Sequence, residues 1–296
     1  MKKYFAMLLA GMMAVSLVAC GGSSTASAPA EAEAEAEAPA EEETTEAEAP
    51  AEETTAAEAT AETTEETAEM TTVEAGVLHM ATNAAFPPYE MISDNGGFEG
   101  IDVEIATEIA RKLGLELVVD DMEFGSVITS VQSGKSDIAM AGLTVTEERK
   151  QNVDFTTSYA TGIQVIIVPE DSDILTVDDL ANDKMIGVQD GTTGYIYCSD
   201  DYGEDHITSY TNGAMAIEAL KGGKVDAVVI DNEPARAFVA ANDGLKILDT
   251  EYIVENYAIG VSKDNPGLCK AVNDALTELI ADGTVQMIVD KYITAE

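Results

Sequence analysis

The chain has 296 residues, 56 acidic and only 15 basic side chains, and a net charge of −41. Nucleic acid is a poor partner for such a molecule, because phosphate binding rests on clustered Lys and Arg. The three cysteines, Cys20, Cys198 and Cys269, form neither a disulfide-framework pattern nor a Cys-x-x-Cys motif.

Lys2 and Lys3 precede an apolar run from Tyr4 to Val18, closed by Leu17-Val18-Ala19-Cys20-Gly21. A basic start, a short apolar run and a small-residue cleavage point describe a secretory signal over residues 1–19. The run is shorter than the roughly 20 apolar residues a membrane-spanning helix needs. Leu-Val-Ala-Cys-Gly resembles a bacterial lipobox, which implies a lipid-modified (palmitate-bearing) Cys20 anchored to the cell membrane, with the chain facing outside the cytoplasm. An ordinary cleaved signal with an incidental Cys is the alternative. Residues 21–75 hold 17 Glu, no Lys or Arg, and Met70 and Val73 as their only larger apolar side chains. Such a stretch buries too little apolar surface to offset its chain entropy, so residues 20–75 are expected to be an anchor and a disordered acidic tether.

Residues 76–296 are long enough for one two-lobed domain or two small ones. Setting aside the 17 tether glutamates and Lys2 and Lys3 brings the 56 acids and 15 bases down to 39 and 13, net −26. Val77–Thr82 reads as a first strand, and the loop after it carries Pro87-Pro88, which suits neither a helix interior nor a central strand. Ile101–Leu113 has a helical apolar face, with Gly114 as its C-cap. Strands are expected at 115–119, 137–141, 164–168, 185–188 and 227–230. Helices are expected at 126–132, 176–180, 214–221, 232–241, 265–281 and 285–292. The alternation predicts an α/β protein with largely parallel sheets. His79 reads as a packed or hydrogen-bonded side chain. The acidic run Asp200–Asp205 lacks the alternating acids of a calcium loop and reads as a solvated turn. No metal site or cofactor motif is found, and no Gly-x-Ser-x-Gly elbow or placed nucleophile and base.

One internal similarity points to a site. Ser133-Gly-Lys-Ser-Asp137-Ile-Ala-Met-Ala-Gly142 aligns with Gly222-Gly-Lys-Val-Asp226-Ala-Val-Val-Ile-Asp231. Each reads as a helix end, a Gly-Lys turn, an Asp and a short strand, which suggests two lobes built alike. The alignment puts Gly142 and Asp231 at matching strand ends, where open α/β sheets bind ligands. Beyond Gly142 stand Thr144, a candidate N-cap at Thr146, and Arg149, whose planar fork suits a carboxylate. With facing lobes, Arg149 and Asp231 would line one cleft with opposite charges, fit for a ligand bearing a carboxylate and an ammonium.

Over residues 76–296 the chain resembles the solute-binding proteins of ABC importers, polar amino-acid family. The motifs are Thr82-Asn-Ala-Ala-Phe-Pro-Pro-Tyr-Glu90, Gly100-Ile-Asp102, Met122-Glu-Phe124, 141–149, Val153-Asp-Phe155, Gly187-Val-Gln-Asp-Gly-Thr-Thr-Gly194 and Val229-Ile-Asp231. The resemblance implies a two-lobed periplasmic-binding-protein-like fold with two hinge crossings, near 159–162 and 253–257. Lobe one would be about 76–158 and 258–296, and lobe two about 163–252. It also implies that Arg149, Thr144 and Thr192 or Thr193 hold the ligand's α-carboxylate, and that Asp231 and the carbonyl of Gly142 take its α-ammonium. Phe86 and Phe124 would flank the side chain, and Asn83 and Gln189 would read its polar end.

Relatives that bind cationic amino acids usually place an acid where this chain has Asn83, and Glu123 is expected to point elsewhere. A neutral polar, glutamine-like amino acid is therefore the expected ligand, taken up by a monomer that delivers it to a membrane permease. The remaining alternatives are a ligand-binding lobe that signals to a receptor and a dehydratase-like enzyme on the same scaffold.

Overall fold

The computed structural model describes residues 69–249 and 251–293; the expected signal, Cys20 and most of the expected tether lie outside them. The first-lobe strands are β1 (Val77–Thr82), β2 (Ala85–Phe86), β3 (Glu90–Ile92), β4 (Phe98–Glu99), β5 (Glu116–Asp121), β6 (Ile138–Ala139) and β7 (Val153–Phe155). Interleaved with them are the helices α1 (Ile101–Leu113), α2 (Phe124–Gln132) and α3 (Glu147–Asn152). The chain then enters the second lobe on β8 (Ala160–Pro169), followed by β9 (Ile186–Gln189), α4 (Thr193–Tyr202), β10 (Ile207–Tyr210), α5 (Gly213–Lys221), β11 (Ala227–Asp231), α6 (Asn232–Ala240), β12 (Leu245–Ile247) and β13 (Ile253–Tyr257). It returns to the first on β14 (Gly260–Ser262), α7 (Pro266–Ala281) and α8 (Thr284–Tyr292).

The strand orders are β5-β1-β6-β14-β7 in one sheet and β10-β9-β11-β8-β12 in the other, with β13 paired to β8; β2, β3 and β4 form a small third sheet. The expectation of largely parallel sheets holds for β5-β1-β6 and for β10-β9-β11 only. Strand β8 runs antiparallel to β11, β12 and β13, and β14 antiparallel to β6 and β7. These two strands carry the chain into a lobe from the cleft side, so each opposes neighbours whose carboxyl ends face the cleft.

Both faces of the two large sheets carry buried apolar side chains, which is why their central strands read as continuous apolar runs. On β11, Val228 and Ile230 join the α5 side with Ile217 and Leu220, while Ala227 and Val229 join Ile186, Val188 and Cys198 on the other. On β1, Leu78 and Met80 pack with Ile105 and Ile109 of α1, and Ala81 faces Val127 and Val131 of α2. That alternation is the period of two of a strand.

The internal similarity is geometric as well as sequential. Gly134 and Gly223 both take positive φ (66° and 65°). In each turn the following lysine N–H reaches back to a helix carbonyl, Ser130 for Lys135 and Ala219 for Lys224. Asp137 accepts the N–H of His79, and Asp226 that of Met185, so each aspartate fastens its turn near the start of the neighbouring parallel strand. Ile138 pairs with Met80 of β1, and Ala227 with Ile186 of β9.

Several elements differ from expectation. Helix α4 appears only in the structure; its residues Thr-Gly-Tyr-Ile-Tyr-Cys-Ser-Asp-Asp-Tyr have no helical apolar stripe, and it is nucleated by Thr192, whose hydroxyl accepts the Tyr195 N–H. Asp200 and Asp201 lie in the last turn of this helix, which ends at Tyr202, and Glu204–His206 is a 3-10 turn. Residues Val177–Ala181 are a 3-10 turn rather than an α-helix, closed by a capping box between Thr176 and Asp179. The folded region also begins earlier than expected: Val73 N–H donates to Asp137, Asn265 Nδ2 to the carbonyl of Thr71, and Met70 packs on the core. The larger apolar side chains at the end of the acidic stretch mark where it docks. His79 is hydrogen-bonded, its Nδ1 lying 3.1 Å from Asp120.

Candidate functional site

All ten residues expected to touch the ligand line one space between the lobes: Asn83, Phe86, Phe124, Gly142, Thr144, Arg149, Gln189, Thr192, Thr193 and Asp231. Ala141 completes its lining. Each residue is delivered by an element end, which is where loops leave a rigid scaffold.

Arg149 stands in the first turn of α3, a helix capped by Thr146, whose hydroxyl accepts the Arg149 N–H at 3.1 Å. The capping function and the site function of this stretch are therefore compatible: the cap fixes the turn that aims the guanidinium. Nη1 donates to the Thr144 carbonyl at 2.8 Å and Nη2 to the Gly191 carbonyl, across the cleft, at 3.2 Å. The guanidinium carbon lies 5.3 Å from the centroid of Phe124. The residue is 8% exposed. Burial lowers its pKa, opposed mainly by Glu255 and then by Tyr197 and Asp231.

Gly142 has φ +53°, and a Cβ there would approach the Phe86 ring to 2.7 Å, so only glycine fits. Its N–H donates to Asp102 Oδ2 at 2.9 Å, and the same oxygen accepts the Tyr159 hydroxyl at 2.8 Å. Asp102 is wholly buried beside Glu90. Burial pushes Asp102 up to about 7 against those two hydrogen bonds. Burial and the Asp102 carboxylate hold Glu90 well above the usual carboxylate range.

Asp231 closes β11 on the opposite wall. Its Oδ1 accepts the Tyr257 hydroxyl and its Oδ2 accepts Gln164 Nε2 at 2.8 Å. That same amide nitrogen donates to Glu255 Oε2 at 2.8 Å, and Tyr197 donates to Glu255 Oε1 at 3.0 Å. Burial, then the Glu255 charge, pushes Asp231 up to about 7, against the bonds from Tyr257 and Gln164. Gly162 makes room for this cluster, since a Cβ there would press on Tyr257 Oη and lie 2.7 Å from Asp231 Oδ1.

The far end of the space is neutral. Gln189 Nε2 donates to Asn83 Oδ1 at 3.0 Å, across the cleft, and Asn83 Nδ2 donates to the Met122 carbonyl at 2.8 Å. Glu123 is exposed and borders a separate groove with Ser126, Asp190 and Tyr210.

Sequence reasoning missed Gln164, Tyr197, Glu255 and Tyr257. Only Glu255 carried a signal: in Ile253–Tyr257 it shares a face with the two apolar ends, so an acid at an inward strand position stood out. Asp102 lay inside a quoted motif but without a role.

The chain is similar to known amino-acid-binding proteins. A probable histidine-binding protein of Neisseria gonorrhoeae is 31% identical over 226 residues, covering 74% of this chain and 84% of that protein. An ancestral arginine-binding protein solved with glutamine bound superposes with a TM-score of 0.71 and 38% identity, covering 75% of this chain and 100% of that one. The ancestral amino-acid-binding protein AncCDT-1, described as a precursor of cyclohexadienyl dehydratase, gives 0.68 and 30%, covering 73% and 95%. The model of the bacterial extracellular solute-binding proteins, family 3, matches residues 78–295, and the chain belongs to that family.

Proposed function

We propose that this protein captures a polar α-amino acid between its two lobes outside the cytoplasm and delivers it, by hinge closure, to the permease of an ABC importer. The observation that carries the reading is the placement of Arg149 and Asp231 on opposite walls of one small space. Arg149, with Thr144 and Thr192 or Thr193, takes the α-carboxylate; Asp231 and the Gly142 carbonyl take the α-ammonium. Phe86 and Phe124 flank the side chain, whose end meets Asn83 and Gln189.

Binding energy drives closure because the ligand touches both lobes only when they are shut, and it shifts the equilibrium by that difference. Lobe one comprises about 76–158 and 258–296, and lobe two about 163–252. The signal is cleaved before Cys20, which carries the lipid anchor, and residues between it and the docked segment near Met70 serve as the tether. The protein acts as a monomer without a cofactor.

The preferred ligand is a neutral amino acid such as glutamine. Asn83 and Gln189 are uncharged, and a cationic side chain held against them would lack the carboxylate that a buried charge requires. Thermal-shift screening against the common amino acids tests the reading, since a ligand at 100 times its Kd stabilises by about 2.7 kcal/mol. No shift with any amino acid would refute it.

A second reading, favoured by the similarity to AncCDT-1, is a dehydratase-like enzyme. Mass-spectrometric analysis of bound amino or cyclohexadienyl acids after incubation separates the two: capture returns the ligand unchanged.

A further inference from the structure

The hydrogen bonds at the neutral end of the site leave one group over. The Met122 carbonyl can only accept, so the atom of Asn83 at 2.8 Å from it must be the amide nitrogen. Asn83 therefore turns its oxygen to Gln189, and the atom of Gln189 at 3.0 Å from that oxygen must be its own amide nitrogen. The orientation of both amides is thus fixed from the backbone outward. What remains is Gln189 Oε1, a buried acceptor with no hydrogen-bond partner among the described residues. Gln189 is 4% exposed and lines the ligand space. A buried acceptor left without a donor costs free energy that a bound donor restores.

We infer that Gln189 Oε1 is the specificity acceptor of the site and selects amino acids whose side chain ends in an N–H donor. The inference rests on the amino-acid-capture reading above and narrows it. An amide such as that of glutamine satisfies the acceptor. A carboxylate, as in glutamate, opposes it with a second acceptor. A thioether of similar length, as in methionine, leaves it bare. Asn83 also positions Gln189: it takes up the amide nitrogen and so presents the oxygen.

The test is isothermal titration of the full chain with L-glutamine, L-histidine and L-arginine as donor-bearing probes, and L-methionine and L-glutamate as probes lacking the donor at neutral pH. The tightest donor-bearing ligand should bind at least about tenfold more strongly than methionine, because a site built around a hydrogen bond discriminates against analogues that lack it. In Gln189→Leu that preference should collapse to within about threefold. Methionine or glutamate binding as tightly as the best donor-bearing ligand would overturn the inference while leaving amino-acid capture standing. The same holds if the preference survives in Gln189→Leu. Failure of all five ligands to bind would instead overturn the capture reading, and the inference with it. The wild-type ligand series decides the point by itself if the variant folds poorly.

Discussion

Arg149 donates a hydrogen bond to the carbonyl of Gly191, 3.2 Å away in the opposite lobe. The contact depends on how little stands between the walls there. A Cβ on Gly191 would lie 3.3 Å from the Cα of Gly125 at the start of α2, so the two backbones nearly touch. One guanidinium thus joins the proposed carboxylate subsite to the seam between the lobes.

Arg149→Ala should remove the partner of a desolvated ligand carboxylate. Breaking such a pair costs about 3–5 kcal/mol, or roughly two to three and a half decades of Kd. Calorimetry is the measurement, and a loss under about fivefold would remove Arg149 from its assigned role. The fold should persist, because the side chain sits on the cleft wall rather than in the apolar core.

The buried acids give two opposite pH dependences. Asp102 and Asp231 are both raised to about 7. In the unfolded chain they titrate near 4. Their contribution to stability is therefore complete below about 4 and lost as pH rises through about 7. Urea midpoints of the ligand-free protein should fall over that window, and less steeply in Asp102→Asn. Ligand binding should run the other way, because an ammonium needs Asp231 ionised. The Kd should weaken as pH drops from about 8 to 6, with proton release visible in buffers of differing ionisation enthalpy. A flat Kd over that range would contradict the ammonium assignment.

Gly162→Ala should disturb the site from behind, since the added methyl meets Tyr257 Oη and Asp231 Oδ1. Overpacking of this kind costs about 1–3 kcal/mol of stability. The denaturation midpoint should fall and ligand affinity should fall with it; an unchanged affinity would show that the Asp231 cluster tolerates displacement.

Cys198 and Cys269 are both free thiols. Burial pushes Cys198 up to about 12, which keeps it protonated and unreactive in the folded protein. Alkylation under non-reducing denaturation should label both, and native alkylation should spare Cys198. Absence of label on the denatured chain would reveal a bridge.

Removing residues 21–68 should leave both affinity and stability unchanged. Extending the cut to residue 75 should lower stability, because it takes away Met70 and the hydrogen bonds of Thr71 and Val73. Denaturation midpoints of the two truncations compare these cases directly.

Much of this was legible in the sequence because it is local or repeated. Helix α1 carries its own apolar stripe and ends at Gly114 in the left-handed conformation. The two Gly-Lys-x-Asp turns repeat in the sequence, and the repeat puts Gly142 and Asp231 at matching positions. Helix α4 was not legible, since its helical form comes from the Thr192 cap and its neighbours rather than from its own pattern. The Gln164 bridge was not legible either. Its partners Asp231 and Glu255 lie 67 and 91 residues along the chain, and only strand pairing brings them together. The direction of β8 was not legible because its apolar run looks like that of any buried strand, and β14, only three residues long, gave no strand signal of its own.

The pairing of β8 with β13 runs from Gln164 opposite Ile253 to Ala160 opposite Tyr257. The chain passes between the lobes twice, but the two passages are one ladder of backbone hydrogen bonds. Mechanically this is a single twisted strap rather than a pair of separate pins. A strap of this kind resists sideways shear and yields by bending and twisting along its length, which is the motion the proposed hinge closure requires. Gly162 sits opposite Glu255 on it, so in the proposed hinge closure any flexing of the strap would be felt at the Asp231 and Glu255 carboxylates.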